Sequence, residues 1–418
     1  MNERDLVRDL ARQVYEFAVS DESNKRRDLW RDHNSLKRTR PMVIATNSGL
    51  PTKEVPELQN LVCSDPLMRN LEHYFRHQLY HISLNDDMIF EPWYRVAPVF
   101  DWPVNGNVRW GPEISVNRTE QKGGSFIFDP PLKTEEDLAK LVKPVHKINE
   151  RKTAERYERI CEVLGGSMPA AVSRSPYYKM WQSDIAHDLA YLRGLEQMMW
   201  DMAESPELLK KITGFLSEGA LHVQDAAEAN GDWSLVDHNN QSVTYSRELP
   251  DPAGDGQPVT RDKLWVFCAA QEAAVISPDM WAEFILAYQK PIYEKFGLLA
   301  YGCCEDLTHK IPVLKRELPN LRRIAVTPWA DWRSCAEQIG SDYVYSWRPS
   351  PADMVSCDFD PERVKKTVRE AFKLASEHKN HIDVTLKDVQ TVSGNLDAVP
   401  GFMRCVREVI DEGGWEWR

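Results

Sequence analysis

The chain has 418 residues, of which 42% are hydrophobic and 28% are charged, and its formal net charge is −12. A chain of this length and composition buries a large core, which indicates a globular protein. The acidic balance and the absence of a Lys/Arg stripe argue against nucleic-acid binding, because neutralising phosphates requires a basic surface.

The sequence also predicts a protein without a membrane segment. It contains no run of 18 apolar residues, and the charged residues 1–5 lack the apolar core of a secretory signal. Eight scattered cysteines without a CxxC pair indicate reduced thiols and therefore a cytoplasmic protein. A homodimer is compatible with the sequence.

Residues 1–37 predict a helical N-terminal arm rich in Arg and Asp. Short runs of strand-forming residues then alternate with helical runs to the end of the chain. The predicted strands are 42–46, 87–91, 170–173, 233–237, 298–301, 323–327, 343–346 and 382–386. Helix starts such as Ser205-Pro206 and Ser277-Pro278, with a capping residue before proline, lie between them.

Eight strand–helix repeats predict a (β/α)8 TIM barrel that forms one catalytic domain over residues 38–418. Long loops at 92–132 and 238–265 follow the second and fourth predicted strands. Loops after strands lie at the active-site face of such a barrel, and loops this long are usually functional or disordered.

Polar and aromatic residues follow nearly every predicted strand, and in a barrel these ends converge at one mouth. We therefore expect a site for a small-molecule substrate there. The expected catalytic residues are Glu91, Tyr301 and Asp331, the expected substrate-binding residues are Trp93, Asn239, Gln271, Arg348 and Lys387, and the expected metal ligands are His238, Cys303, Cys304 and Glu305.

The stretch from Tyr301 to Glu305 is the most informative part of the chain. Alternation along a strand would place Tyr301, Cys303 and Glu305 on one side and Cys304 on the other. Thiolate, carboxylate and the imidazole of His238 are ligands that zinc accepts. The alternative is that each Cys is a small buried hydrophobe and that His238 is a hydrogen-bonded structural residue.

Three further side chains have two interpretations each. Glu91 is a general acid or base if burial raises its pKa, or else a carboxylate that orients a neighbour. Arg348 binds a substrate carboxylate or caps a loop carbonyl. Lys387 clamps a substrate carboxylate or pairs with Asp388. The usual nucleotide-binding and hydrolase motifs, GxGxxG, GxxxxGK[ST] and GxSxG, do not occur in the sequence.

Several segments resemble the uroporphyrinogen decarboxylase superfamily. They read LWVF at 264–267, AQE at 270–272, ISPDMWAEF at 276–284, GLLAYGCCE at 297–305, PNLRR at 319–323 and WAD at 329–331. The resemblance spans about residues 40–415. It implies a (β/α)8 barrel that either decarboxylates uroporphyrinogen without a cofactor or transfers methyl groups to or from a corrinoid carried by a partner protein.

The sequence departs from both branches of that superfamily. The decarboxylase branch grips carboxylates with arginines after its first strand, whereas Arg38 and Arg40 precede the strand here, which argues against uroporphyrinogen as the substrate. In the methyltransferase branch the zinc-binding His-x-Cys falls on Tyr301 and Cys303, so the resemblance transfers only Cys303 as a ligand.

The leading hypothesis is therefore a corrinoid-linked methyltransferase that demethylates a small methoxylated or N-methylated compound. Zinc at Cys303 would activate the reacting heteroatom or thiol, and Glu91 or Asp331 would move the proton. One alternative is a metal-free decarboxylase or lyase in which Arg348 and Lys387 hold carboxylates. A second is a non-catalytic protein that binds a corrinoid or a tetrapyrrole.

Overall fold

The computed structural model describes residues 2–102, 109–120 and 126–415. The fold is mixed α/β. The helices are α1 (Glu3–Ala18), α2 (Asp21–Asn34), α3 (Pro56–Gln59), α4 (Pro66–Ser83), α5 (Glu150–Leu164), α6 (Ala186–Arg193), α7 (Leu195–Glu204), α8 (Pro206–Ala229), α9 (Pro278–Trp281), α10 (Ala287–Tyr293), α11 (Ile311–Glu317), α12 (Trp332–Ile339), α13 (Pro361–Glu377) and α14 (Ala398–Asp411). A π-helical turn, Ala282–Leu286, joins α9 to α10.

The strands form one large sheet and two small pairs. They are β1 (Met42–Ala45), β2 (Tyr94–Val96), β3 (Ser115–Arg118), β4 (Phe126–Asp129), β5 (Ala170–Val172), β6 (Trp265–Cys268), β7 (Leu298–Tyr301), β8 (Leu321–Val326), β9 (Val344–Trp347) and β10 (His381–Leu386). The large sheet has the order β1-β10-β9-β8-β7-β6 and is parallel throughout. Strands β2 and β5 pair in parallel, and β3 and β4 form an antiparallel pair.

The two faces of the large sheet differ in chemistry. One face carries residues such as Leu299, Ile324 and Leu386, which pack in the main hydrophobic core together with residues of the surrounding helices. The opposite face, called the inner face here, carries Arg323 and Asp383, which are both almost fully buried. Burial on both faces is typical of parallel sheets.

The N-terminal arm packs onto this inner face. The indole of Trp30 in α2 donates to the carbonyl of Asp87 at 2.7 Å, and the guanidinium of Arg323 lies 5.6 Å from the centre of its ring. His33, also in α2, lies 3.4 Å from the carboxylate of Asp383. Helix α2 therefore closes the polar interior beneath the sheet.

Side chains replace strand partners at both edges of the large sheet. At the β1 edge, the backbone N–H of Val43 donates to the carboxylate of Asp87 at 2.9 Å, and that of Ala45 donates to Asp86 at 2.8 Å. At the β6 edge, the N–H of Trp265 donates to Nδ1 of His238 at 3.2 Å. These contacts satisfy edge groups that an exposed strand would leave open.

The same contacts explain two differences from the sequence prediction. Residues 87–91 are not a strand, because they meet β1 through a single backbone hydrogen bond, from the N–H of Asp87 to the carbonyl of Val43 at 2.7 Å, and through the Asp87 carboxylate, and the next strand along the chain begins only at Tyr94. Residues 233–237 end in a 3-10 turn, Leu235–Asp237, that Ser234 caps. Conversely, β6 was not among the predicted strands. The six-stranded parallel sheet is established, whereas a closed eight-stranded barrel stays a prediction.

The predicted loop at 92–132 contains β2 and the β3–β4 pair, while its residues 103–108 and 121–125 lie outside the described residues. Over the described ranges, no helix has both the length and the apolar character needed to cross a bilayer.

Candidate functional site

The site begins where β7 ends, at a glycine that turns the chain. Gly302 has a φ of +103°, and a Cβ at this position would lie 2.7 Å from the side chain of Leu307 and 3.0 Å from that of Ala325. Only glycine fits both the backbone conformation and the space. The alternation of strand side chains therefore stops at Tyr301.

This turn separates residues that strand alternation would place together. The hydroxyl of Tyr301 donates to Gln289 of α10 at 2.9 Å, so its side chain faces the helices. Cys303 instead packs against Phe267 and Trp181 in a separate cluster. Contrary to the sequence prediction, Tyr301 does not share a side with Cys303.

Two thiols and a lysine meet beyond the turn. The Sγ atoms of Cys303 and Cys304 are 3.5 Å apart. Nζ of Lys387, just after β10, lies 3.1 Å from Sγ of Cys303 and 3.6 Å from Sγ of Cys304. The amide of Gln241 donates to Sγ of Cys303 at 3.4 Å, and Nη1 of Arg348 donates to the carbonyl of Cys303 at 2.7 Å.

These neighbours divide the protonation states of the two thiols. The hydrogen bond from Cys304 lowers the pKa of Cys303 to about 6, against the opposing effect of burial, and Lys387, Gln241 and Arg348 act in the same direction as Cys304. The same hydrogen bond and burial raise the pKa of Cys304. These contacts favour the thiolate form of Cys303 and the thiol form of Cys304.

Glu305 supports the turn. Its two carboxylate oxygens accept the backbone N–H groups of Ala270 at 3.0 Å and of Cys303 at 2.8 Å, and the residue is only 1% exposed. The carboxylate thus ties the chain after β7 to the chain after β6. It orients Cys303 through the backbone.

The donor set does not fit zinc. His238 uses Nδ1 to accept the N–H of Trp265, and burial lowers its pKa to about 4. Among residues 2–102, 109–120 and 126–415, no group of three or more His, Cys, Asp or Glu side chains is placed to hold a metal. The ammonium of Lys387, 3.1 Å from the thiolate, supplies positive charge where a zinc ion would bind.

Two cavities meet at Lys387. The larger, of about 520 Å³, includes Trp181, Gln241 and Ser242 in its lining, and the smaller, of about 240 Å³, includes Cys303 and Cys304. Lys387 lines both. The thiolate and ammonium therefore stand at the boundary between two spaces of different size.

The structure places Glu91 and Trp93 elsewhere. Both line a third cavity, of about 310 Å³, which shares no lining residue with the other two. Burial raises the pKa of Glu91 to about 7, although Arg27 and a hydrogen bond from Tyr245 at 3.0 Å favour its charged form. The sequence prediction that these residues share a mouth with Cys303 is not met, because they precede β2 rather than follow a strand.

The remaining predicted residues have local roles in the structure. Asp331 is exposed and caps α12, accepting the N–H groups of Arg333 and Ser334 at 3.1 Å each. The amide of Asn239 contacts the sulfur of Met180. Gln271 begins the 3-10 turn Gln271–Ala273.

The structure thus brings together four of the predicted residues, with Glu305 behind them: Cys303, Cys304, Arg348 and Lys387. Sequence reasoning missed Gln241, which contacts the thiolate. The only signal for Gln241 was its place in the long loop after residue 237, which marks a functional segment without singling out a residue.

Comparison with known proteins adds information about the fold. No protein-family model matches the chain, and no curated protein matches it in sequence. Among solved structures, a methyltransferase from Methanosarcina mazei is similar with a TM-score of 0.52 and 11% identity, over 93% of this chain and 98% of that one. A glycoside hydrolase family 5 mannosidase from Rhizomucor miehei matches at a TM-score of 0.35 and 10% identity, over 89% and 94%. The chain therefore shares its fold with the Methanosarcina mazei protein, while membership of the uroporphyrinogen decarboxylase superfamily stays a prediction.

Proposed function

We propose that the chain is a methyltransferase that moves a methyl group from a small methylated substrate to or from a corrinoid carried by a partner protein. We also interpret the parallel sheet and the segments at its edges as the (β/α)8 barrel of the superfamily that the sequence resembles. The observation that supports this function best is the pair formed by the Cys303 thiolate and the Lys387 ammonium between two cavities.

This pair suits the demand of demethylation. When a methyl group leaves an oxygen or nitrogen, that atom gains electron density and needs a proton or a Lewis acid. Lys387 lines the large cavity and is placed to give a proton to that atom. The thiolate of Cys303, 3.1 Å away, stabilises the ammonium before transfer. The corrinoid, when bound, supplies the centre that accepts the methyl group.

The large cavity favours a methyl ether over a methylammonium ion. Among the residues that the structure describes, no Asp or Glu is part of its lining, and the ionisable side chains there are Lys387 and His81. Phe90 and Trp181 provide aromatic surface. The Oε1 atom of Gln241 and the hydroxyl of Ser242 are buried with no partner among the described residues, so both remain available to a hydroxylated ligand. We therefore propose a methoxylated aromatic compound as the substrate.

A reconstituted assay tests the function. Purified protein is incubated with a panel of methoxylated aromatics and with free cob(I)alamin, and methylcobalamin is followed by its absorbance. We expect methyl transfer by the wild type and a loss of about 100-fold or more in Lys387→Met, because a positioned proton donor contributes roughly 100- to 10,000-fold. Lys263→Met, which removes a half-exposed surface lysine, serves as the matched control and should behave as the wild type.

Two results would count against the proposal. One is the absence of methylcobalamin with every methyl donor, including methylamines. The other is an undiminished rate in Lys387→Met. Tight ligand binding without turnover would instead favour a non-catalytic corrinoid or tetrapyrrole protein.

One observation favours a second candidate, a metal-free decarboxylase or lyase. Arg348 and Lys387 place two cations beside Cys303, an arrangement that can hold a substrate carboxylate. This candidate predicts release of labelled CO2 from a carboxylic acid in the absence of any corrinoid. The methyltransferase predicts no such release.

A further inference from the structure

Arg348 differs from the other buried arginines of the described residues. Its side chain is buried, with the residue 5% exposed, yet it has no carboxylate within 4.0 Å in the part of the chain that the structure describes. Each of the others has such a partner. The pairs are Arg26 with Glu22, Arg27 with Glu91, Arg109 with Asp188, Arg193 with Asp201, Arg261 with Asp225 and Glu228, and Arg323 with Asp383.

An unpaired buried guanidinium is costly. Taking a charge out of water costs several kcal/mol unless a counter-charge and hydrogen bonds compensate. Arg348 uses Nη1 on the carbonyl of Cys303, while its Nε is buried without a partner among the described residues. Asp388, which lines the same cavity, lies 3.3 Å from Lys387 and accepts from Ser48 at 2.9 Å. Arg348 thus has no carboxylate partner among the described residues, and the nearby Cys303 thiolate compensates its charge in part.

The surroundings of Arg348 form a defined pocket. The cavity of about 240 Å³ is lined by Arg348, Lys387, Asp388, the two thiol side chains and Thr327, together with the rings of Pro328, Trp329, Pro349 and Pro351. The backbone N–H of Arg348 donates to the carbonyl of Val326 at 2.8 Å, and the proline that follows restricts its backbone to extended conformations. The guanidinium is therefore held at a fixed place beside apolar walls.

We propose that this smaller cavity is a binding subsite for a small organic carboxylate, with Arg348 as the counter-charge and Lys387 at its inner end. Arginine presents two parallel N–H groups that match a carboxylate. The proline and indole walls suit an apolar body behind the carboxylate. The volume is below the 300–1,000 Å³ that is usual for ligand pockets, which restricts the ligand to a small acid.

The subsite deepens the proposed function, because it requires that either the methylated substrate or a second reactant beside it is an organic acid. Only this role rests on methyl transfer. Binding of the anion does not depend on any reaction, so failure of the two proposals can be told apart.

The test is direct binding of benzoate, measured by calorimetry on the purified full chain. We expect benzoate to bind and its uncharged analogue benzamide to bind at least tenfold more weakly. Arg348→Gln should weaken benzoate at least tenfold with little effect on benzamide, while Arg348→Lys should keep part of the affinity. Arg316→Gln, which removes an exposed surface arginine, is the matched control and should bind benzoate as the wild type does.

A second readout uses Cys303, which lines the same cavity. Saturating benzoate should slow the alkylation of Cys303 by iodoacetamide at least threefold in the wild type and leave it unchanged in Arg348→Gln. Circular dichroism and a thermal melt establish whether each variant is folded. If Arg348→Gln is unfolded, the comparison is made with Arg348→Lys. Equal affinities for benzoate and benzamide, or equal affinities of wild type and both Arg348 variants, would overturn the proposal. Equal competition by inorganic phosphate would also overturn it, because the site would then select charge alone.

Discussion

Strands β8, β9 and β10 support two charged layers that differ in their balance. The lower layer lies on the inner face of the large sheet. There Arg323 pairs with Asp383 at 2.7 Å, and Ser346 and His33 also contact the carboxylate of Asp383. Burial opposes the charge of Asp383, yet Arg323 and His33 hold its pKa well below the usual range. The upper layer lies just beyond the ends of these strands. There the two cations Arg348 and Lys387 lie beside the Cys303 thiolate, which compensates their positive charge only in part.

The difference separates a structural layer from a reactive one. The lower layer is neutral and fully hydrogen-bonded, so it fixes α2 and the strands in place. The upper layer keeps unsatisfied donors and an ionised thiol next to open space. Arginine thus serves opposite purposes next to the same strands: Arg323 pairs with the carboxylate of Asp383, whereas Arg348 has no carboxylate partner among the described residues.

The largest expected effect breaks the lower layer. Asp383→Ala leaves Arg323 buried and unpaired, so the free energy of unfolding should fall by about 3–5 kcal/mol. Denaturant unfolding followed by circular dichroism measures it. Ser350→Ala, at a partly buried position in the segment after β9, is a mild control. A loss below about 1 kcal/mol would mean that the lower layer is not the structural one.

The next prediction concerns the turn at Gly302, which separates the side chains of Tyr301 and Cys303. Gly302→Ala forces a side chain into a left-handed conformation and against Leu307 and Ala325, so we expect a loss of about 2–3 kcal/mol. Gly394→Ala also has a positive φ but meets no atom within 4 Å, so it should cost less. Unfolding midpoints of the two variants measure the difference. Equal losses of stability in the two variants would show that backbone strain alone, and not contact with Leu307 and Ala325, makes glycine necessary at position 302.

A smaller effect tests the upper layer. Cys304→Ala removes the strongest support of the Cys303 thiolate, so the pKa of Cys303 should rise from about 6 towards that of an ordinary thiol. The alkylation rate of Cys303, followed by peptide mass spectrometry, should rise with pH through about 6 in the wild type and through a higher pH in the variant. At pH 7 we expect a decrease of about three- to tenfold.

Cys357→Ala, at an exposed cysteine outside the site, is the control for that experiment. Its pH profile for Cys303 should match the wild type. An unchanged profile in Cys304→Ala would mean that Lys387 alone sustains the thiolate.

The smallest expected effect is the change in stability when Arg348 of the upper layer is replaced. Arg348→Met removes an unpaired buried charge and one hydrogen bond, which offset each other, so stability in the absence of ligand should change by no more than about 1 kcal/mol. The same denaturant titration used for Asp383→Ala measures it. A loss as large as that of Asp383→Ala would place Arg348 among the structural residues.

Much of the fold follows from sequence pattern. The apolar runs predicted at 42–46, 298–301, 323–327, 343–346 and 382–386 correspond to β1 and β7 to β10, because strands buried on both faces form continuous apolar runs. The strands predicted at 87–91 and 233–237 do not form. Side-chain carboxylates at the first segment and a capped 3-10 turn at the second take the place of a hydrogen-bonded ladder. Such contacts depend on distant residues and leave no local pattern.

The site was predicted in part for a related reason. Cys303, Cys304, Arg348 and Lys387 follow true strands and converge as expected. The strand predicted at 87–91 would place Glu91 and Trp93 at the same mouth, but residues 87–91 do not form a strand. The spacing of Glu305 from Cys303 fits a strand and therefore predicts a metal ligand, whereas the turn at Gly302 directs its carboxylate to backbone N–H groups.

The sharing of Lys387 by two cavities has a thermodynamic consequence. If the two cavities bind ligands as proposed, an anion in the smaller one and a ligand in the larger one approach the same ammonium, and their binding equilibria are then coupled. Linkage then requires reciprocity: whatever factor the first ligand imposes on the affinity of the second, the second imposes on the first. A single lysine side chain thereby makes two adjacent compartments respond to each other.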